Sequence, residues 1–505
     1  MKELLIFIFF LLGTPVFAQL NTFKEGDVIS AEQMNENFEA LLEKTGPVRS
    51  KTVDCDAGET INAALSEGYN DITVYGTCTE EIVAMSPVDG TQLGRTERFP
   101  SEPLSHIIIT GGEPNRGAIL SLGSQVSSAF QASIQLTNLT IKDRISVFAN
   151  SFLYLKNVTH AVEPGNESKI RVAENSVIKI EESDLSEPVE LHNGSTAMIH
   201  QVNLNVANDG QFFDVVRGSN LEVFDSTITH QSSQFSVSSL GQLSSVETLF
   251  RAVENSSIHV SGSTINTTTS AAFVLDQGSS LILANSIVSS DSRFSVVIVR
   301  SHLHLDNSTL ENNGLPLIIL DGSYGRFHSS TVRSTGGYNA VSLAGSYLSI
   351  QDQSKLESNT STSTETDESD YSTISMTKFS NLEIANSSVT NLVDDNDPET
   401  DNHEAIWMRE SCNLKIANST ITSSTSSQID ARDGSNVFLQ ENNDFITNSN
   451  NSNKNIQLRG RSSLYFGSED YSALTVDCTG RSYVQSYIQE ISETVANSGC
   501  LTDSY

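Results

Sequence analysis

The stretches SNLEIANSSVT (380–390) and CNLKIANSTIT (412–422) are two copies of one pattern, and their reading decides the fold. SNLEVFDSTIT (219–229), SSLILANSIVS (279–289) and SHLHLDNSTLE (301–311) are three more. Self-similarity of this kind marks structural units that bury their apolar face only against neighbouring copies. Aligned on a central apolar residue, fourteen copies run from Ile134 to Leu464, with Leu221, Ile258, Leu281, Leu303, Leu382 and Leu414 among the anchors. Met198 and Phe327 anchor two less regular copies.

Inside each copy the apolar residues alternate with period two, which is a strand pattern. Two residues before the anchor, ten of the fourteen copies carry Ser, from Ser151 to Ser462. Two residues after it, twelve are apolar, Leu136, Leu155, Ile180, Val223 and Val260 among them. These positions share one strand face, so a column of Ser and apolar residues points inward from coil to coil. Four residues after the anchor stand Asn138, Asn157, Asp225, Gly262, Asn285, Asn307, Asp352, Asn386 and Asn418. Such residues accept positive φ, so a bend is expected there. A second short strand follows (Ile228, Ile265, Val288, Leu310), and a third precedes the anchor in AAFVL (271–275), SVVIV (295–299), LPLIIL (315–320) and EAIWM (404–408). Uninterrupted steps of mostly 19 to 25 residues are too short for the blades of a β-propeller.

Three short strands and three bends in roughly 22 residues make a coil of a right-handed parallel β-helix, an all-β solenoid. The chain resembles secreted β-helix proteins of the pectin-lyase-like superfamily over residues 50 to 475, and its Asn/Asp bends resemble that group's asparagine ladder. No specific enzyme family is matched. The polygalacturonase motifs Asn-Thr-Asp, Gly-His-Gly and Arg-Ile-Lys are absent, as is the pectinesterase pattern Gly-x-x-Asp-Phe.

Residues 1–18 read as a signal peptide, with Lys2, the run LLIFIFFLLG and small residues before a cleavage point near Ala18. The run is too short to span a membrane and no other approaches that length, so a secreted, bacterial, extracellular or periplasmic protein is expected. Residues 19–50 form a helical segment, with Ser30 and Gln33 as a capping box and Met34, Phe38, Leu41 and Leu42 as one apolar stripe. Residues 51–130 comprise an N-terminal cap and the first coils, 131–470 the repeats and 471–505 a C-terminal cap.

Five cysteines cannot all pair within one chain. Cys55 and Cys78 bracket a helix-like stretch (59–66) that resembles the N-terminal cap of β-helix proteins. Cys478 and Cys500 bracket Val484, Ile488, Ile491 and Val495, which are at helical spacing. Pairing within each couple would staple a helical cap at either end, and capped ends protect bare strand edges. Cys412 remains, a thiol in the inward Ser column.

With 62 acidic against 29 basic residues, the net charge of −33 excludes nucleic acid and anionic lipid surfaces as partners. Three steps carry insertions, at 230–246, 357–371 and 391–404, and insertions at one point of a repeat project from one side of a solenoid. The third holds Asp394, Asp395, Asp397 and Asp401, a donor set suited to Ca²⁺, the one cofactor the sequence suggests. No organic cofactor motif is present. Immediately after comes Trp407, the only Trp of the chain, and then Arg409. Arg409, Arg432 and Arg459 each lie five residues before their anchors and so form a column. Glu410 and Asp433 are placed to separate the charges, and the guanidinium forks suit the carboxylates of an anionic polysaccharide. The expected function is that of an exported glycan-binding or surface scaffold protein without catalysis. The alternative is a calcium-dependent polysaccharide lyase using Asp394, Asp395, Asp397 and Arg409.

Overall fold

The computed structural model describes residues 48–504 except 86–105, 113–117, 121–125, 130–131, 143, 162–168, 207–210, 232–247, 269–270, 292–294, 313–317, 336–338, 360–371, 393–403, 424–426, 448–454, 468–473 and 487–498. The described strands pair in parallel and wind a right-handed solenoid with three sides. One side is a 19-stranded sheet and the next a 16-stranded sheet; the third is formed by a 5-stranded sheet in the early coils and a 10-stranded sheet beyond them.

Along the 19-stranded sheet the inward pairs repeat the sequence column. Leu221 lies opposite Ile258 and then Leu281, and Val223 opposite Val260 and Leu283, all fully buried. The inward positions alternate with partly exposed outward ones, as in strands packed on one face only. Two copies sit in a different register from the repeat alignment. Ile178 pairs with Ala197, so Met198 points outward. Leu303 pairs with Gly325, and Phe327 occupies the second inward place opposite Leu305. Gly325 is needed there because a Cβ would lie 2.8 Å from Leu348 Cδ1 and 2.9 Å from Leu320 Cδ1.

All nine expected bend residues have positive φ, from 46° at Asn307 to 60° at Gly262. The side chains of Asn157 and Asn138 bond across one coil step at 2.8 Å, as do those of Asn307 and Asn285. The inward serines solve a backbone problem at the corners. Ser279 N–H donates to Ser301 Oγ and Ser301 N–H to Ser323 Oγ, both at 3.2 Å. The Oγ of Ser279 in turn donates to Asp276 O and that of Ser323 to Asp321 O, both at 2.8 Å. A second such column, not read from the repeat, follows the Asn bend, where Ser286 N–H donates to Ser308 Oγ at 3.1 Å and Ser308 N–H to Ser330 Oγ at 3.2 Å. Buried amides are thereby satisfied at both corners. Cys412 substitutes in the first column: its N–H donates to Ser435 Oγ at 3.2 Å and its Sγ to Arg409 O at 2.9 Å.

The helical caps expected at both ends are not found among the described residues. Among the described residues the one α-helix is Ile61–Ser66, six residues long, with Thr60 as its N-cap. Ile61, Ala64 and Leu65 are buried against the first coil, and Gly68, at φ 81°, ends the turn. At the other end Val484 belongs to a strand, Tyr483–Ser486, and Leu501–Ser504 adds one further strand to it. At Val484 the open edge of the preceding strand offers backbone partners, and the residue pairs there with Leu464. Ile488, Ile491 and Val495 lie outside the described residues, as do residues 1–47 with the signal peptide and the helical segment. Disulfides join Cys55 to Cys78 and Cys478 to Cys500. No helix among the described residues is long and apolar enough to cross a membrane.

Candidate functional site

In the strand Ile406–Met408 the outer residues of the triplet face the core, so Trp407 faces outward. The register puts Trp407 opposite Asp430, and Asp430 opposite Gln457, on the outer face of the 16-stranded sheet. Arg409, Arg432 and Arg459 follow two residues later on the same face. Their amides continue the ladder to Met376 O, Met408 O and Ala431 O at 3.0, 2.8 and 2.8 Å, which makes the three a true column.

Asp430 holds that column together. Its Oδ2 accepts from Arg432 Nε at 2.9 Å and Nη2 at 2.7 Å, and lies 3.5 Å from Arg459 Nη2. Arg459 also donates to Gln457 Oε1. Asp430 is 0 % exposed, and its Oδ1 has no hydrogen-bond partner. Arg409 pairs loosely with Glu410, at 3.6 Å. The Trp407 ring, 8 % exposed, carries guanidiniums on its π system, with Arg409 Cζ at 4.9 Å and Arg432 Cζ at 5.8 Å from its centroid. The ion holding Arg432 is therefore Asp430, two residues upstream on the strand, a residue the sequence reading did not single out.

Glu404, 2 % exposed, lies beside this group. Burial and the neighbouring Asp430 carboxylate push its carboxyl up to about 8, against the pull of Arg432 and Arg459. Asp394, Asp395, Asp397 and Asp401 lie outside the described residues. Among the described residues one grouping of three ligand-type side chains occurs, Cys55, Cys78 and Glu80, and both its sulfurs are spent on a disulfide.

Further along the same face, toward the N-terminus, a groove of about 610 Å³ opens over the strands Ile145–Val147, Ile170–Ala173 and Val189–His192. Arg144, Lys169, Arg171 and Arg217 line it, with Glu174, Glu190 and His192. Lys169 reaches Glu190 at 2.6 Å, and Arg217 reaches Glu254 at 3.3 Å. Arg171 is exposed and makes no ion pair among the described residues. Four Lys and Arg side chains against two carboxylates give the lining two more cations than anions, in a chain of net charge −33. The sequence held one usable signal for this groove. Arg144 and Lys169 stand at the same place in successive coils, immediately before the paired Ile145 and Ile170.

No family model matches the chain, and no curated protein matches it. The solved structures similar to it match at low identity and low TM-score. Tailspike protein 3 of bacteriophage CBA120 is 8 % identical, with a TM-score of 0.24, over 96 % of this chain and 64 % of that one. The chain thus spans just under two thirds of that tailspike's length. The A-module of the Azotobacter vinelandii mannuronan C-5 epimerase AlgE6 is 11 % identical, with a TM-score of 0.23, over 89 % and 99 %. A mannuronic acid specific polysaccharide family 6 lyase from human gut microbiota is 10 % identical, with a TM-score of 0.23, over 91 % of each chain. The chain is a right-handed parallel β-solenoid, with no specific family assigned.

Proposed function

We propose that this is an exported, non-catalytic β-solenoid that binds an anionic polysaccharide along the outer face of its 16-stranded sheet. The carrying observation is the cationic groove. In a chain with twice as many acidic as basic residues, Arg144, Lys169, Arg171 and Arg217 gather around one opening. The groove's volume falls within the range of about 300–1,000 Å³ usual for ligand clefts. Its chemistry suits carboxylate or sulfate groups.

The arginine column lies on the same face, ten strands further along the sheet. At about 4.8 Å per strand the two clusters are roughly 48 Å apart. A small ligand cannot bridge that distance, whereas a polymer lying along the solenoid axis passes over both. Export is supported by the two disulfides. The non-catalytic reading is supported by the carboxyls at the arginine column. Glu404 and Asp430 are 2 % and 0 % exposed, so neither can meet a polymer on the surface.

The test is retention on immobilised polyuronate, sulfated polysaccharide and neutral glucan across a salt series. Retention on the charged polymers that weakens as salt rises is expected, with none on the neutral one. Equal retention on neutral glucan overturns the reading. Formation of unsaturated uronate on addition of calcium would replace it with a lyase that uses Asp394, Asp395, Asp397 and Arg409.

A further inference from the structure

The bend that leads from the 16-stranded to the 19-stranded sheet repeats on coil after coil. Its second residue donates its amide to the carbonyl of the equivalent bend one coil further on: Asn175 to Asn193, Gly194 to Arg217, Asn255 to Gln277, and Gly434 to Gly460. Each of these donors has positive φ. The place is filled mostly by residues that accept the left-handed conformation, Asn150, Asn175, Gly194, Gly218, Asn255, Gly278 and Gly434, and near the C-terminus also by Ser411, Arg461 and Arg481. At one coil it is filled by Phe379, at φ 62°, whose amide donates to Glu410 O at 3.1 Å. Among these bend residues Phe379 is the one large apolar side chain, where the others are Gly or polar.

Burial offers no compensation, because the Phe379 side chain is 71 % exposed, the most exposed large hydrophobic among the described residues. Its surroundings are polar and partly cationic. Glu410, which receives the Phe379 amide on its carbonyl and the Lys378 amide on Oε2 at 3.2 Å, is the ion partner of Arg409. Asn381 Nδ2 donates to Phe379 O at 3.3 Å, Asn413 Nδ2 to Asn381 Oδ1 at 2.9 Å and Asn436 Nδ2 to Asn413 Oδ1 at 3.0 Å, a ladder of amides running along the axis. A protein-binding anchor sits among apolar neighbours that exclude water. A bare aromatic ring on a bend bordered by side-chain amides, with Arg409 on the next coil, fits a sugar instead: the apolar C–H face of a pyranose covers the ring while its hydroxyls and charge meet the polar groups.

We infer that Phe379 is the ring-stacking residue of the polysaccharide site, placed beside Arg409, and that the ligand at this end is a pyranose bearing an anionic group. This rests on the polysaccharide-binding reading above and adds a residue to it. Trp407 cannot serve in the same way, since Arg409 and Arg432 already lie over its ring.

The test compares the full mature protein with Phe379→Asn and Phe379→Trp, by calorimetry with oligogalacturonate and dextran sulfate fragments and by thermal unfolding. Phe379→Asn puts at this bend a residue that three other coils carry. It is expected to raise the melting temperature while weakening binding about tenfold, or 1.4 kcal/mol. Phe379→Trp is expected to bind within about twofold of wild type. Unchanged affinity in Phe379→Asn, with wild type binding, overturns the stacking role and leaves the polysaccharide reading intact. A lowered melting temperature in Phe379→Asn assigns the ring a structural role and also overturns the inference. If the wild type binds neither probe, both readings fall.

Discussion

Arg432 directs both Nε and Nη2 at a single oxygen of Asp430, at 2.9 and 2.7 Å, and Asp430 has no exposed surface at all. A buried carboxylate with one principal cation is sensitive to loss of that cation. Arg432→Ala leaves a buried charge with only Arg459, at 3.5 Å, to balance it. Loss of about 3–5 kcal/mol is expected by urea unfolding. Arg409→Ala, whose partner Glu410 is exposed, should cost under about 1 kcal/mol. Equal effects from the two would show that Asp430 does not organise the column.

Glu404 makes stability depend on pH in the sense opposite to a surface salt bridge. Its folded-state carboxyl is held up to about 8, from an ordinary 4.5. Below the ordinary value both folded and unfolded chains hold the proton, and burial costs nothing. From there to about 8 the unfolded chain releases the proton while the folded chain keeps it, so stability falls as pH rises and then levels off. Glu404→Gln should flatten this part of the curve. Melting temperatures recorded from pH 4 to pH 9 on both proteins test it, and parallel curves would refute the assignment.

Gly325 is held by packing rather than by backbone conformation. Because Leu348 Cδ1 and Leu320 Cδ1 would stand 2.8 and 2.9 Å from a new Cβ, Gly325→Ala must displace one of them. Destabilisation of about 1–3 kcal/mol is expected, with a larger loss for Gly325→Val. Denaturant midpoints decide it; a stabilised Ala variant would show that the leucines yield freely.

The Cys412 thiol is buried and its pKa is pushed up to about 11, chiefly by desolvation. Folded protein should resist thiol reagents at pH 8 and react fully in denaturant. Cys412→Ser should change stability by less than about 1 kcal/mol, because Ser279 and Ser435 make the same bond to an upstream carbonyl. Rapid labelling of the native state would contradict the placement.

Sequence by itself determined the solenoid. The identity of a bend residue and the alternation along a strand are local properties, so Asn285, Asn307 and Asn418 declare positive φ, and Leu281 with Leu283 declares an inward face, without reference to the rest of the chain. The arginine column was legible for the same reason, since equal offsets from the repeat put equivalent residues on one line. Tertiary structure decided everything that depends on what lies across a coil step or at an end. It brought Arg459 to Asp430 across a coil step and gathered Arg144, Lys169, Arg171 and Arg217 from three separate stretches into one groove. It left the ring of Phe379 exposed at a bend where the equivalent residues are Gly or polar, and it put a strand at Tyr483–Ser486 and a helix of only six residues at Ile61–Ser66 where longer helical caps were expected. The physical reason is common to these cases. Periodicity specifies which face a residue occupies, while charge pairing, exposure and end-capping depend on neighbours twenty or more residues away that only the winding of the coil brings within reach.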